Sequence, residues 1–286
     1  MRSKLFVPGS RPELFAKALA SAADAVSFDL EDAVAAERKG EAREMVARML
    51  DGLVPGHSKI VIVRVNPTGG PYFADDLAMV ARAGLDMINI PKAETAGQMR
   101  EVAKRLDEFE RMRGIEAPIR ILANIETPRG LRLAAEIAAA DPRIAGLQLG
   151  LGDLFEPHGI ARSERETVRA VQLAMRLAAA EAGIPAYDGA FPHVGDLDGF
   201  RAEAEAARRL GFAGKSCVHP TQIALANDVF RPSAAEIAQA RRILAAAEQQ
   251  LAAGTGAFLL DGVMIDEPFI AQARAVIAQS RGETNA

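Results

Sequence analysis

Short apolar runs alternate along the chain with longer stretches in which apolar positions recur at helical spacing. Strands are expected over residues 4–7, 25–29, 60–65, 87–90, 119–124 and 146–150, and two weaker ones over 185–188 and 215–218. Helical patterns fill much of the space between them, at 11–22, 40–50, 95–113, 128–139, 163–182 and 197–210. Pro128 stands at a helix start, and Gly84, Gly183 and Gly211 follow helix ends. Eight β/α repeats in a chain of this length predict an α/β fold, a closed (β/α)8 TIM barrel over residues 1–230. The alternative is an open doubly wound sheet, but the first βα turn, Pro8-Gly9-Ser10-Arg11, lacks the glycine fingerprint of a dinucleotide fold. Residues 231–286 have no place in a minimal barrel. They read as a C-terminal helical extension: a helix over 234–252, a break at Gly254 and Gly256, a short run over 257–266 and a last helix. Such an extension suits a lid, a subunit-swapped arm or a dimerisation helix.

Composition narrows the function. With 286 residues, 49% hydrophobic and 25% charged, the chain is expected to be globular, and disorder or a disulfide scaffold is excluded. A net charge of -4 argues against nucleic acid or anionic membrane as a partner. Cys217 is the only cysteine, so neither an internal disulfide nor a cysteine-rich zinc site can form. The opening run Leu5-Phe6-Val7 is cut off by Pro8-Gly9, too short for a signal peptide or a span, and a cytoplasmic protein is expected.

In a β/α barrel, chemistry gathers where strands end. The polar residues at those positions are Asp29, Glu31 and Asp32 after the second strand, Arg64 and Asn66 at the third, Lys92 at the fourth, Glu126 at the fifth and Asp153 at the sixth. Glu126 and Asp153, from adjacent strands, are candidate ligands for a hard divalent ion that keeps water and substrate oxygens in its other positions, as Mg²⁺ does. Each also has a bland explanation. Asp153 could be a helix cap, Thr127 is better placed than Glu126 to cap the next helix, and Arg64 could be a structural ion-pair partner of Glu31 or Asp32. Gly214-Lys215-Ser216 resembles the end of a phosphate-binding loop, but Arg209 stands where that motif needs its first glycine. Cys217 reads as a small buried residue and His219 as a structural hydrogen-bonding group.

These motifs, taken in order, resemble one family. Arg2-Ser3 with Leu5-Phe6-Val7-Pro8-Gly9, then Phe28-Asp29-Leu30-Glu31-Asp32, Arg64-Val65-Asn66, Pro91-Lys92, Ile125-Glu126, Gly152-Asp153, Gly214-Lys215, His219-Pro220 and Gly262-Val263-Met264-Ile265-Asp266 are similar to the citrate lyase β-subunit-like members of the HpcH/HpaI aldolase group. The resemblance implies a β/α barrel with C-terminal helices, assembled as a homotrimer or hexamer. It implies an Mg²⁺-dependent carbon–carbon lyase that cleaves or forms an acyl-CoA such as citryl-CoA, malyl-CoA or citramalyl-CoA, with a 2-oxo acid as the other product. Within it, Glu126 and Asp153 would hold Mg²⁺, Arg64 would stabilise developing negative charge and bind substrate, and Glu31 would orient Arg64 with support from Asp29 and Asp32. Arg11 and Lys17 match basic positions that meet CoA phosphates, and Asp266 matches a C-terminal aspartate acting as general acid or base in a neighbouring subunit. His219-Pro220 is similar to free-standing members rather than to subunits of a citrate lyase complex. Two other readings remain: a class II aldolase acting on free hydroxy-oxo acids, and a noncatalytic metabolite-binding subunit.

Overall fold

The computed structural model describes residues 1–53, 57–252 and 256–281. Gly254 and the last five residues of the expected extension lie outside them. The chain divides into two compact units, Met1–Phe230 and the residues from Arg231 onward.

The first unit is a closed barrel of eight parallel strands in sequence order. They are β1 (Ser3–Pro8), β2 (Ala25–Asp29), β3 (Ile60–Arg64), β4 (Met87–Ile90), β5 (Arg120–Ile125), β6 (Ile144–Leu149), β7 (Ala186–Asp188) and β8 (Gly214–Cys217). Closure comes from β1 pairing with both β2 and β8, which leaves no strand edge open. Side chains alternate in and out along each strand. One set, including Leu5, Val26, Phe28, Val61, Val63, Ile88 and Ile121, forms the large core between sheet and helices. The inward set begins with an apolar plug of Ala25, Ile62 and Leu122, packed with Met1, Ile60, Met87 and Tyr187. Above this plug the inward positions turn polar, and that change of layer is what makes a site.

The helices differ from expectation in instructive ways. The stretch 128–139 is two short helices, Pro128–Arg132 and Ala134–Ala138, broken at Leu133. The first helix is a 3-10 turn, Pro12–Leu14, followed by Phe15–Leu19. A helix at Phe73–Val80, absent from the expected set, buries Phe73, Leu77 and Val80 on one face. Gly183 and Gly211 do end helices in the left-handed conformation, but Gly84 does not. A Cβ at Gly84 would lie 2.4 Å from the Leu50 carbonyl oxygen, so close backbone approach is what requires glycine there.

In the second unit, helices Ala234–Ala252 and Glu267–Arg281 share a small core of Ala240, Ile243, Ala247, Ile265, Ile270 and Ala273. The run 257–266 is an antiparallel hairpin of β9 (Phe258–Leu260) and β10 (Val263–Ile265). Its turn is Asp261-Gly262, both at positive φ, as a two-residue hairpin loop demands.

The shortest strands are secured by charge. Lys215, on the outward face of β8, donates to Asp188 Oδ2 at 2.5 Å, to Glu203 Oε1 at 2.6 Å and to the Gly189 carbonyl at 2.9 Å. Gln172 donates to the other Asp188 oxygen, and Arg162 closes the network on Glu203. Lys215 and Asp188 are fully enclosed, so the apparent phosphate-loop lysine is a structural cation. Asp188→Ala removes one of the two carboxylates paired with that ammonium and is expected to lower stability by about 2–3 kcal/mol, read as a fall in the urea midpoint with the barrel's helical signal retained.

Candidate active site

β2 and β3 run in a register that sets Asp29 beside Arg64. Arg64 donates through Nε to Asp29 Oδ1 at 2.7 Å and through Nη2 to Asp29 Oδ2 at 2.6 Å, a bidentate fork. Its Nη1 lies 2.7 Å from Glu31 Oε2 and 3.7 Å from Asp32. The orienting role expected of Glu31 therefore belongs first to Asp29. Adjacent strands deliver Asp29 to the arginine head-on, whereas Glu31 reaches it from the loop beyond. Asp29 is anchored in turn by the Glu31 and Ala33 backbone N–H groups; the Arg64 guanidinium first, and these N–H groups after it, hold its carboxyl below the ordinary range despite burial. The Arg64 guanidinium also lies over the Phe6 ring, 5.1 Å from its centroid.

Glu126 follows β5 and is buried. The expectation that Thr127 would serve as the cap holds: its Oγ1 accepts from Gly130 N at 3.0 Å, leaving Glu126 to face the barrel. One Glu126 oxygen accepts the Lys92 backbone N–H at 2.7 Å, and the other lies 3.3 Å from Asn124 Nδ2. Gly150 makes room for it, since a Cβ there would sit 2.4 Å from Glu126 Oε2. Asp153 lies in the first turn of Leu151–Phe155, whose cap position is Gly150, and its Oδ1 is 3.3 Å from Lys92 Nζ. Capping does not account for it.

Lys92 carried no assigned role in the sequence, yet it joins the cluster. Its ammonium donates to Glu31 Oε1 at 3.0 Å while its own backbone is left-handed, φ 48°. Five carboxylates thus surround two cations, Arg64 and Lys92. The surplus is felt most by Glu126, whose carboxyl is pushed up to about 7 by burial and by the neighbouring charges of Glu31 and Asp153. Glu31 is raised as well, chiefly by burial. Among the described residues no group of three or more His, Cys, Asp or Glu side chains forms a metal cage. A two-carboxylate site with surplus negative charge fits Mg²⁺, which keeps most of its water shell; Glu126 and Asp153 are the residues that would hold it.

A second lysine was also missed. Lys4, inward on β1 and buried, donates to Gln148 Oε1 and sits 4.2 Å from the Phe6 centroid. Burial and the nearby Arg64 push its pKa well down. Ser27 Oγ, Ser216 Oγ and Asn89 Oδ1, also inward, are buried without protein partners, a polar lining that fits enclosed water. Arg11 is exposed and paired with Glu13 at 2.9 Å, and Lys17 is exposed on its short helix. Asp266, in the second unit, immediately precedes the last helix, and its carbonyl accepts the Ile270 N–H. Its Oδ1 is buried without a hydrogen-bond partner. Cys217 is buried with its thiol raised to about 12, and His219 Nδ1 meets Thr221 Oγ1 at 2.8 Å.

A parallel barrel with a fixed arginine and two metal-suited carboxylates at its mouth has the layout of a metal-assisted lyase or aldolase. Comparison with known proteins agrees. The sequence model of the HpcH/HpaI aldolase/citrate lyase family matches residues 2–220, and the chain belongs to that family. It is 37% identical over 283 residues to the citrate lyase subunit beta of Haemophilus influenzae, covering 98% of this chain and 97% of the relative. It is 36% identical over 300 residues to an L-malyl-CoA/beta-methylmalyl-CoA lyase of Cereibacter sphaeroides, covering 98% and 94%. The crystal structure of CitE from Mycobacterium tuberculosis in complex with magnesium, acetoacetate and coenzyme A is similar with TM-score 0.77 and 35% identity, covering 98% of this chain and 99% of that one.

The raised Glu126 carboxyl has a measurable consequence. The metal-free fold retains a proton that the unfolded chain releases between about 4.5 and 7, so stability is greatest on the acid side of that window and falls as pH rises through it. Glu126→Gln is expected to remove up to roughly 3 kcal/mol of that decline, seen as a flatter melting-temperature profile between pH 5 and pH 8 in metal-free buffer.

Proposed function

We infer that this protein is an Mg²⁺-dependent carbon–carbon lyase acting on a CoA thioester, cleaving or forming a 3-hydroxyacyl-CoA such as citryl-CoA, malyl-CoA or citramalyl-CoA. The other partner is a 2-oxo acid. The observation that carries this reading is the convergence of Glu126, Asp153 and Arg64 on one barrel mouth with carboxylates in excess. Mg²⁺, when bound, supplies positive charge for the oxygens of the oxo-acid portion. Cleavage removes the proton of the substrate hydroxyl, and the electrons of the breaking carbon–carbon bond pass to the thioester α-carbon, which is then protonated. Arg64, held rigid by Asp29, offers a fixed positive charge to the carboxylate or enolate oxygen that gains charge. Its planar donors and permanent charge suit that task better than a lysine would.

Asp266 is assigned as the general acid or base, contributed by a neighbouring subunit of a homotrimer or hexamer. Its support is the partnerless, buried Oδ1 just before the last helix, a carboxylate oxygen that no helix cap uses. Arg11 and Lys17 are assigned to the CoA phosphates; both are exposed near the end of β1, so a long ligand could reach them. No helix among the described residues is long and apolar enough to cross a membrane, and the proposed site of the reaction is the cytoplasm.

Three outcomes follow. In a panel of acyl-CoA substrates with Mg²⁺, at least one 3-hydroxyacyl-CoA is expected to yield free oxo acid, measured by coupled dehydrogenase assay; turnover of free hydroxy-oxo acids alone would favour the class II aldolase instead. Arg64→Lys is expected to lose activity by two orders of magnitude or more while remaining folded, and near-normal turnover would leave Arg64 a purely structural ion-pair partner. Asp266→Ala and Glu126→Ala, each inactive alone, are expected to regain partial activity when unfolded and reassembled together; verified hybrids without rescue would place Asp266 at its own subunit's site.

A further inference from the structure

We propose that Lys92 is the resident cation of the metal-free mouth: its ammonium occupies the field of Glu31, Glu126 and Asp153, competes with Mg²⁺, and withdraws from Asp153 when the ion binds. This rests on the metal-binding reading of Glu126 and Asp153. Lys92 touches all three carboxylates. Its Nζ donates to Glu31 Oε1 at 3.0 Å and lies 3.3 Å from Asp153 Oδ1, while its own amide donates to Glu126 Oε1 at 2.7 Å. The charged end therefore sits on one of the two metal-binding carboxylates, and the backbone of the same residue fixes the other.

The local backbone supports this aim. Lys92 has φ 48°, a left-handed conformation that disfavours any residue with a Cβ and persists at a functional site only when its surroundings enforce it. Here the left-handed turn is what lets one residue present both amide and ammonium to the cluster. The two cations also differ in freedom. Arg64 is forked on Asp29 and buried, so it cannot move aside. The Lys92 side chain is 36% exposed on a four-carbon stem and can swing. An ammonium so near Asp153 Oδ1 and a dication on that carboxylate repel each other strongly in a half-desolvated mouth. Binding of Mg²⁺ must displace it, and Glu31, which it already contacts, is the place it can retain.

The test is Mg²⁺ calorimetry on the full chain, with Lys92→Asn and Lys92→Met beside wild type. Both variants keep the backbone N–H to Glu126, and asparagine tolerates the left-handed backbone. Both are expected to bind Mg²⁺ at least fivefold more tightly than wild type, and to melt earlier than wild type without metal while gaining more on Mg²⁺ saturation. A lysine that only braced the loop would lower the melting temperature and leave Mg²⁺ affinity unchanged or weaker, and that result overturns the proposal. Failure of wild type to bind Mg²⁺ at all overturns the metal-binding reading and this proposal together; wild-type binding without tightening in the variants overturns this proposal alone. A second measurement needs no change at the site beyond labelling. In reductively ¹³C-methylated protein, the Lys92 signal, assigned by its absence from Lys92→Arg, is expected to shift in step with Mg²⁺ titration. A signal that stays fixed through saturation contradicts displacement.

Discussion

An excess of negative charge at the mouth of the barrel governs this site. Asp29, Glu31, Asp32, Glu126 and Asp153 converge there against Arg64 and Lys92. In water such a cluster would cost little; half-desolvated, it must be neutralised by a proton, an ammonium or a metal ion. The structure shows the first two of these answers and leaves room for the third. Glu126 leans toward keeping its proton, Lys92 spans the gap, and two carboxylates remain suited to Mg²⁺.

The barrel's construction makes that excess tolerable. Eight paired strands fix Cα positions so that Asp29 meets Arg64 across one register pair and forms a fork rather than a loose contact. Beneath the mouth, Ala25, Ile62 and Leu122 form an apolar layer on which the polar layer rests. Gly150 is needed because the following helix begins against the Glu126 carboxylate. Fold and chemistry are coupled at such points. A methyl group there would collide with the Glu126 carboxylate and displace it.

Much of this was legible in the sequence because it is written in period and punctuation. Alternating β and α runs, short loops and polar strand ends announced the barrel, and the Thr127-Pro128 pair correctly released Glu126 from capping. Other features needed the register. That Asp29 forks Arg64, with Glu31 adding a contact to the remaining Nη1, follows from which residues pair across β2 and β3, which no single-strand pattern reveals. Lys4 opens a strand whose inward face the run Leu5-Phe6-Val7 does not mark, and Lys92 depends on a left-handed turn that lysine rarely adopts. One signal was available and unused: Asp261-Gly262 between short apolar runs marks a hairpin, and that is what the chain forms.

The carboxylate excess ties fold, titration and proposed chemistry together, and the position of a bound ion tests it most directly. Crystals grown with Mn²⁺, a hard cation of similar ligand preference to Mg²⁺, allow the ion to be located by its anomalous scattering. A single strong peak within coordination distance of both Glu126 and Asp153, with the Lys92 ammonium moved off Asp153, is the expected result. A map with no peak there, or with the ion bound elsewhere while the Lys92–Asp153 contact persists, would contradict the account.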